Sequence, residues 1–472
     1  ARALYLQFLM EYEQGPAKLE KAFKFLVNNL GYPTQSGRES VMELMHSVIL
    51  KSSETLLAQL ATSFFVGLAN VAVSDDILKC REMASALIAR LFKKAPKERP
   101  AMENFTLSWM VQDGNSLLRR CGLLVYKVYL SVFGFGSHEK LDSAAFGLVE
   151  TVIGQARLGA DTDTDWEDVY MGMSVFSGMC NALGEQVLTP KFEPIWRHVL
   201  DTILYPHTWV RLLSARLVGV LLGNLDKVTF TLTPEQLQTV CYRLLRQLGA
   251  PVVAPELGAQ IVKNMIQIAT KWQNEQTPFY VIEKAGEDAE PDANEEGRFE
   301  PDAEVEQPKY ASAIDFVLAR ICSLMRQDTR SDKNLTARKA AIQLGAVIAQ
   351  LVDEEKLVDV SRQLLFGMYY ILEQDAYSDA ENDVLNMAKE SVKALEDRLG
   401  VTKFIEVHTS VRKLVDQKRQ ERRVKRAQLA ITAPDVAARR KMKKHGNFRE
   451  KRKHRKDDNG YYRAKRTKKN QA

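Results

Sequence analysis

The chain has 472 residues, 45% of them hydrophobic and 8% aromatic, which is enough apolar content to fold and too much length for one ordinary core. Its formal net charge of +6 hides two opposed parts. From Val411 to Ala472 there are 24 Lys or Arg against 6 Asp or Glu, a net of +18, leaving 42 basic and 54 acidic residues elsewhere, a net of −12; this excludes a uniformly charged globule and implies an acidic body with a basic arm that seeks polyanions.

The opening "ARALYLQFLMEYEQG" enters a helical pattern directly, with neither an initiator methionine nor a signal-peptide layout, and reads as a fragment of a longer chain. No run of 18 uncharged apolar residues is found, and the most apolar stretch, "LLVYKVYLSVFGFG" from Leu123, carries a lysine. The chain therefore reads as soluble, with no membrane partner. Cys80, Cys121, Cys180, Cys241 and Cys322 are odd in number, widely spread and free of any Cys-x-x-Cys pair, which points to a reducing compartment and away from structural zinc. The sequons at Asn104 and Asn334 then read as chance matches on helices.

The stretch "GYPTQSGRES", Gly31 to Ser40, superficially resembles a phosphate-binding loop. It has five residues between Gly31 and Gly37 where that pattern needs four, Arg38 in place of the lysine, and Glu39 where a hydroxyl would hold magnesium. Repetition explains it better. Helical patterns with apolar residues at offsets +6 and +10 follow Arg38, Arg81, Arg119, Arg211 and Arg338. Ala84, Gly122, Ser214 and Ala341 supply a small residue at +3 in four of the five, which permits close helix packing. The intervals of 43, 38, 92 and 127 residues correspond to one, one, two and three units of a period typical of HEAT and armadillo repeats. Missing units are read from Asp165 and from Pro255, and "GYPTQSGRES" becomes an intra-repeat turn, with Ser36 able to cap the following helix. Each marker arginine is expected to pair with an acidic group in the adjacent repeat.

Glu283 to Glu306 interrupts the array with 11 acidic residues against Lys284 and Arg298, a net of −9, and is expected to be a disordered loop. The opposed charges of this insert and the arm raise a fold-back of one on the other, against the simpler reading of a solvated loop. From Val401 an amphipathic helix runs with an apolar stripe at Val407, Val411, Leu414 and Val415, whose continuation is taken over by Lys418, Arg422 and Lys425. Pro434 and Asp435 start a fresh helix, and the remainder reads as extended. The fold class is thus all-α, a HEAT/armadillo-like α-solenoid with a basic, partly helical C-terminal tail. Its expected divisions are repeats over 1–278, an acidic loop over 279–309, repeats over 310–400, and the basic helix and tail over 401–472.

Dense cations bind phosphates by charge and counterion release, and aromatic rings among them stack on unpaired bases. The candidate RNA-binding residues are Lys418, Arg419, Arg422, Arg423, Lys425, Arg426, Arg439, Arg440, Lys441, Lys443, Lys444, Arg449, Lys451, Arg452, Lys453, Arg455, Lys456, Tyr461, Tyr462, Arg463, Lys465 and Arg466, with Phe448 as a further stacking ring. "KKHGNFREKRKHRK" and "RAKRTKK" also read as nuclear import signals. Catalysis finds no support. The seven histidines form no metal-ligand spacing, "FGFG" at Phe133 lacks the third glycine of a dinucleotide fingerprint, kinase triplets are missing, and "DTDTDWED" from Asp161 lacks the glycine and glutamate of a calcium loop. No cofactor, metal or small-molecule substrate is expected.

The block "LQFLMEYEQGPAKLEKAFKFLVNNLGYPTQSGRESVMELMHSVI", Leu6 to Ile49, and "KCREMASALIARL" from Lys79 resemble the C-terminal region of the very large HEAT-repeat proteins of the small-subunit processome, called in animals "down-regulated in metastasis". The resemblance is strongest over about the first 90 residues. It implies a nucleolar, non-catalytic scaffold associated with the U-three snoRNA particle and needed for 18S rRNA maturation. The implied partners are pre-rRNA, snoRNA and other processome proteins. The rival reading is a nuclear transport receptor or adaptor, also an acidic helical solenoid, for which a +18 arm would occupy its own cargo surface. An enzyme ranks third.

Overall fold

The computed structural model describes residues 2–12, 14–112, 114–156, 166–250, 253–272, 310, 312–326, 335–373, 379–436, 438–439 and 442. Contacts divide the chain into two compact units, Ala1–Leu351 and Val352–Ala472. Every regular element among the described residues is helical.

The first unit runs α1 (Arg2–Glu11), α2 (Pro16–Asn28), α3 (Gln35–Lys51), α4 (Glu54–Ser74), α5 (Leu78–Lys94), α6 (Arg99–Met110), α7 (Ser116–Phe133), α8 (Glu139–Gln155), α9 (Trp166–Leu183), α10 (Glu193–Asp201), α11 (Thr208–Leu222), α12 (Pro234–Leu248), α13 (Pro255–Trp272), α14 (Ala313–Arg326) and α15 (Leu335–Leu351). From α4 onward, each even helix packs on the odd helix that follows it. The odd helices from α3 to α15 also pack each on the next, forming one continuous row. The even helices form a second, in which the 3-10 segment Thr202–Leu204 bridges α10 and α12. This is an all-α solenoid, in which each pair buries its apolar face only against its neighbours.

The arginine register marks the odd row. Arg38, Arg81, Arg119, Arg211 and Arg338 are each the fourth residue of their helices, α3, α5, α7, α11 and α15. The two units inferred without an arginine are α9 and α13. One interval differs from expectation: between α11 and α15 only α13 intervenes, two steps instead of three, because residues 273–309, outside the described residues, take up the rest of the spacing. The small residues Ala84, Gly122, Ser214 and Ala341 are buried. At Gly122 an added Cβ would stand 2.6 Å from Met110 Cγ and 2.9 Å from Met110 N, so α6 and α7 meet there backbone to backbone.

At "GYPTQSGRES" the structure shows a turn: a short 3-10 segment, Asn29–Gly31, ends α2, and α3 begins at Gln35. Thr34, not Ser36, caps α3, its hydroxyl accepting from Gly37 N at 3.3 Å, because Ser36 already lies inside the first turn. Arg38 reaches the segment leading into the next odd helix, donating from Nε to Asp75 Oδ2 at 2.7 Å and from Nη2 to Asp75 Oδ1 at 3.0 Å. Arg119 makes a comparable pairing with Asp168 on α9 at 3.5 Å. Arg81 and Arg211 depart from it, Arg81 donating to the Asp75 and Asp76 backbone carbonyls just before its own helix and Arg211 to Thr208 Oγ1 of its own helix.

One apolar stretch escapes the sequence reading. Helix α4 is long and apolar enough, by length and composition, to cross a membrane. Its composition has a structural cause: α4 packs against α2, α5 and α7 and buries Leu57, Leu60, Phe64, Phe65 and Leu68, so most of its circumference is apolar. Asn104 lies on α6, and Asn334 falls outside the described residues. The five cysteines are buried.

The second unit comprises α16 (Glu354–Leu372), α17 (Asp379–Leu399) and α18 (Val401–Thr432), with α18 packed on both others. Gly400 takes φ 77°, a left-handed conformation that lets α17 end and α18 start without an intervening loop.

Candidate nucleic-acid interface

The seat of α18 is built by valines four residues apart. Val407, Val411 and Val415 are buried, and Leu414 beside them is half-buried. Continuing the same face by steps of three or four leads to Lys418, Arg422 and Lys425, so the stripe changes from apolar to cationic within one turn. The residues meeting it on α16 change accordingly. Lys418 Nζ stands 4.7 Å from the centroid of Phe366, and the Arg419 guanidinium carbon is 5.7 Å from both Tyr369 and Tyr370. Arg422 Nη2 donates to Tyr370 Oη at 2.9 Å, and Arg419 pairs with Glu373.

Burial works against the charge on Glu373, but hydrogen bonds from Arg419 and Tyr369 outweigh it and hold the carboxyl below its ordinary value. Arg419 in turn is held more firmly protonated, chiefly by its hydrogen bond to Glu373. Lys418, Arg419 and Arg422 therefore form a clasp that fixes α18 on an aromatic row. Beyond them Arg423, Lys425 and Arg426 are exposed, and Arg439 is exposed past the break at Ala433. The residues of 352–400 carry 5 Lys or Arg against 12 Asp or Glu, so the cationic helix rises from an acidic base.

Read from the sequence, all these cations form one surface. The structure brings Lys418, Arg419 and Arg422 into intramolecular contacts and leaves Arg423, Lys425, Arg426 and Arg439 open to solvent. Arg440, Lys441, Lys443, Lys444, Arg449, Lys451, Arg452, Lys453, Arg455, Lys456, Tyr461, Tyr462, Arg463, Lys465 and Arg466 lie outside the described residues, as do Phe448 and the acidic insert with its fold-back. The clasp partners Phe366, Tyr369, Tyr370 and Glu373 escape sequence reasoning. Their only signal is the run "FGMYYILE", which is indistinguishable from core helix without knowing what packs on it. Among the described residues, no group of three or more His, Cys, Asp or Glu side chains is placed to hold a metal.

Residues 177–458 match the family described as "Small subunit processome component 20 homolog, C-terminal". The chain belongs to this family. It is 38% identical over 468 residues to "U3 small nucleolar RNA-associated protein 20" of Saccharomyces cerevisiae, a match covering 98% of this chain and 18% of that protein. A protein of the same name from Schizosaccharomyces pombe is 28% identical over 461 residues, covering 93% of this chain and 17% of the relative. The chain thus spans less than a fifth of the length of these two relatives. Among solved structures, yeast importin-beta (Kap95p) is similar at a TM-score of 0.43 and 11% identity, over 90% of this chain and 52% of the other. The processome component 20 match includes all of the second unit's described helices, and with them the clasp.

Proposed function

We propose that the chain is part of a non-catalytic scaffold of the small-subunit processome that supports pre-rRNA processing and 18S rRNA maturation in the nucleolus. The helical rows offer protein contacts, and the basic arm contacts pre-rRNA and snoRNA. The single observation that carries the RNA part is the exposed group Arg423, Lys425 and Arg426 on a helix clasped to its unit just before them. Family membership favours this reading over a transport receptor. The relatives' name, which associates them with U3 small nucleolar RNA, supports the choice of RNA as the polyanion. Nothing in the arm specifies a base sequence, so selectivity comes from RNA shape and neighbouring proteins.

The test is crosslinking in cells with sequencing of the bound RNA, comparing three chains: unaltered, ending at Thr432, and carrying Arg423→Gln, Lys425→Gln and Arg426→Gln. A cut at Ser410 would remove Val411 and Val415 from the packing and confound folding with binding. Loss of pre-rRNA reads in the altered chains, with nucleolar location kept, is the expected result. Unchanged reads in both would remove the arm from the mechanism and leave protein contacts to carry the function.

A further inference from the structure

The turn between α7 and α8 contains "FGFG", Phe133 to Gly136. Gly134 and Gly136 take φ 78° and 92°, left-handed values that side chains disfavour. Between these two reversals Phe135 becomes one of three rings around a single ammonium. Lys191 Nζ stands 5.6 Å from the centroid of Phe135, 5.6 Å from Phe146 on α8, and 5.9 Å from Phe192. Phe146 and Phe192 meet edge to face at 5.3 Å, and the buried Phe192 fixes the corner. Three separate elements thus supply the cage: the α7–α8 turn, α8, and the short 3-10 segment Pro190–Phe192. Lys191 is exposed and, among the described residues, pairs with no carboxylate.

The dimensions suit a larger cation than the one present. Cation–π attraction extends to about 6 Å from a ring centroid, so the bare ammonium sits near the outer limit of all three rings. An N-methyl bond adds about 1.5 Å. A methyl carbon directed at a ring would then lie roughly 4 Å from it, close to the optimum for carbon–carbon dispersion. Methylation also keeps the positive charge. Weak hydration, retained charge and aromatic walls are the combination by which such cages hold methylated ammonium groups.

We propose that Lys191 is a methyl-acceptor lysine whose methylated ammonium is held by the cage of Phe135, Phe146 and Phe192. Each methyl comes from a sulfonium methyl donor on a separate methyltransferase. The neutral Nζ attacks the methyl carbon, the C–N bond forms as the C–S bond breaks, a thioether departs, and the proton lost from Nζ passes to solvent. Lys191 meets the transferase from its exposed side and then returns to the rings, where the methylated head ties the segment before α10 to α8. The inference is independent of the RNA reading of α18.

Two measurements test it. Peptide mass spectrometry of the chain purified from cells of its source should find methyl increments on Lys191; unmodified Lys191 in both nuclear and whole-cell preparations overturns the modification. Separately, the recombinant chain is reductively methylated with carbon-13 formaldehyde, and the dimethyl signal of Lys191 is assigned by its loss in Lys191→Arg. That signal should lie upfield of the other dimethyl-lysines through ring currents and move toward them in Phe135→Leu, which keeps an apolar side chain without a ring. A Lys191 signal coincident with the exposed lysines overturns the cage.

Discussion

Asp142 shows how one buried charge is accommodated inside a helical stack. The side chain, 4% exposed, accepts from Tyr126 Oη at 2.7 Å and from Gly136 N at 2.8 Å. Burial, reinforced by Asp142, pushes the Tyr126 phenol far above its ordinary range, so it remains a donor at any pH the fold survives. Tyr126→Phe removes that donor and leaves a carboxylate oxygen unpaired. The expected loss is about 1–3 kcal/mol, read as a lower urea midpoint with an unchanged slope. Gly219 illustrates the opposite constraint, where an added side chain would have to displace its neighbours. A Cβ there would stand 2.8 Å from Asn264 Oδ1 and 2.9 Å from Gln260 Nε2, while the buried Asn264 already donates to Ala215 O at 2.7 Å. Gly219→Ala should destabilise by roughly 1–3 kcal/mol through overpacking. Asn264→Ala in the same chain should recover part of the clash, so the pair is non-additive in a denaturation cycle.

At the scale of elements, the clasp and the exposed cations separate into two roles. Arg419→Ala with Arg422→Ala should speed amide hydrogen exchange along α18, since the clasp is what holds the helix beyond Val415. Arg423→Gln, Lys425→Gln and Arg426→Gln should leave exchange unchanged and weaken RNA binding, lowering the salt slope by about one for each phosphate no longer neutralised. The clasp also has a pH sense. Glu373 is held below its ordinary value of 4.5, so its contribution is complete above that pH and is lost as acid takes the carboxyl through its lowered folded value. Amide protection factors in α18, taken relative to the intrinsic exchange rate at each pH, should therefore fall on acidification below about pH 4.5, and Glu373→Gln should abolish that fall. Much of this layer is legible in the sequence. The odd row announces itself because an arginine recurs at the fourth position of five helices, with apolar residues at helical spacing behind it. The even row has no such marker, and its residues read only as apolar helix. The clasp is illegible because it joins residues 52 apart, Arg422 and Tyr370, and nothing local to either names the other. The change at Lys418 from an apolar register to a cationic one is visible; what it packs on is not.

Across the whole chain, five buried thiols sit on α5, α7, α9, α12 and α14 and report on the stack from within. Burial pushes Cys121 up to about 11 and Cys180 and Cys322 up to about 12, so these three form little thiolate at neutral pH. An aqueous disulfide reagent should titrate almost none of the five in the native chain and all of them in denaturant. If the rows unfold as one cooperative body, the thiols appear in a single phase; if the stack peels pair by pair, they appear in sequence. The same scale shows why the α4 composition misleads: a helix enclosed by stacked neighbours and a helix in lipid both lose their polar face.

The replacement of valine by lysine and arginine along one face of α18 has a consequence for self-association. A stack of helical pairs ends wherever the next apolar face is withheld, and an uncovered valine stripe would invite another helix, from any chain, to settle on it. By turning the stripe cationic at Lys418, the helix makes its far half unattractive to apolar neighbours. Residues suited to a polyanion thereby also act as a stop signal against aggregation.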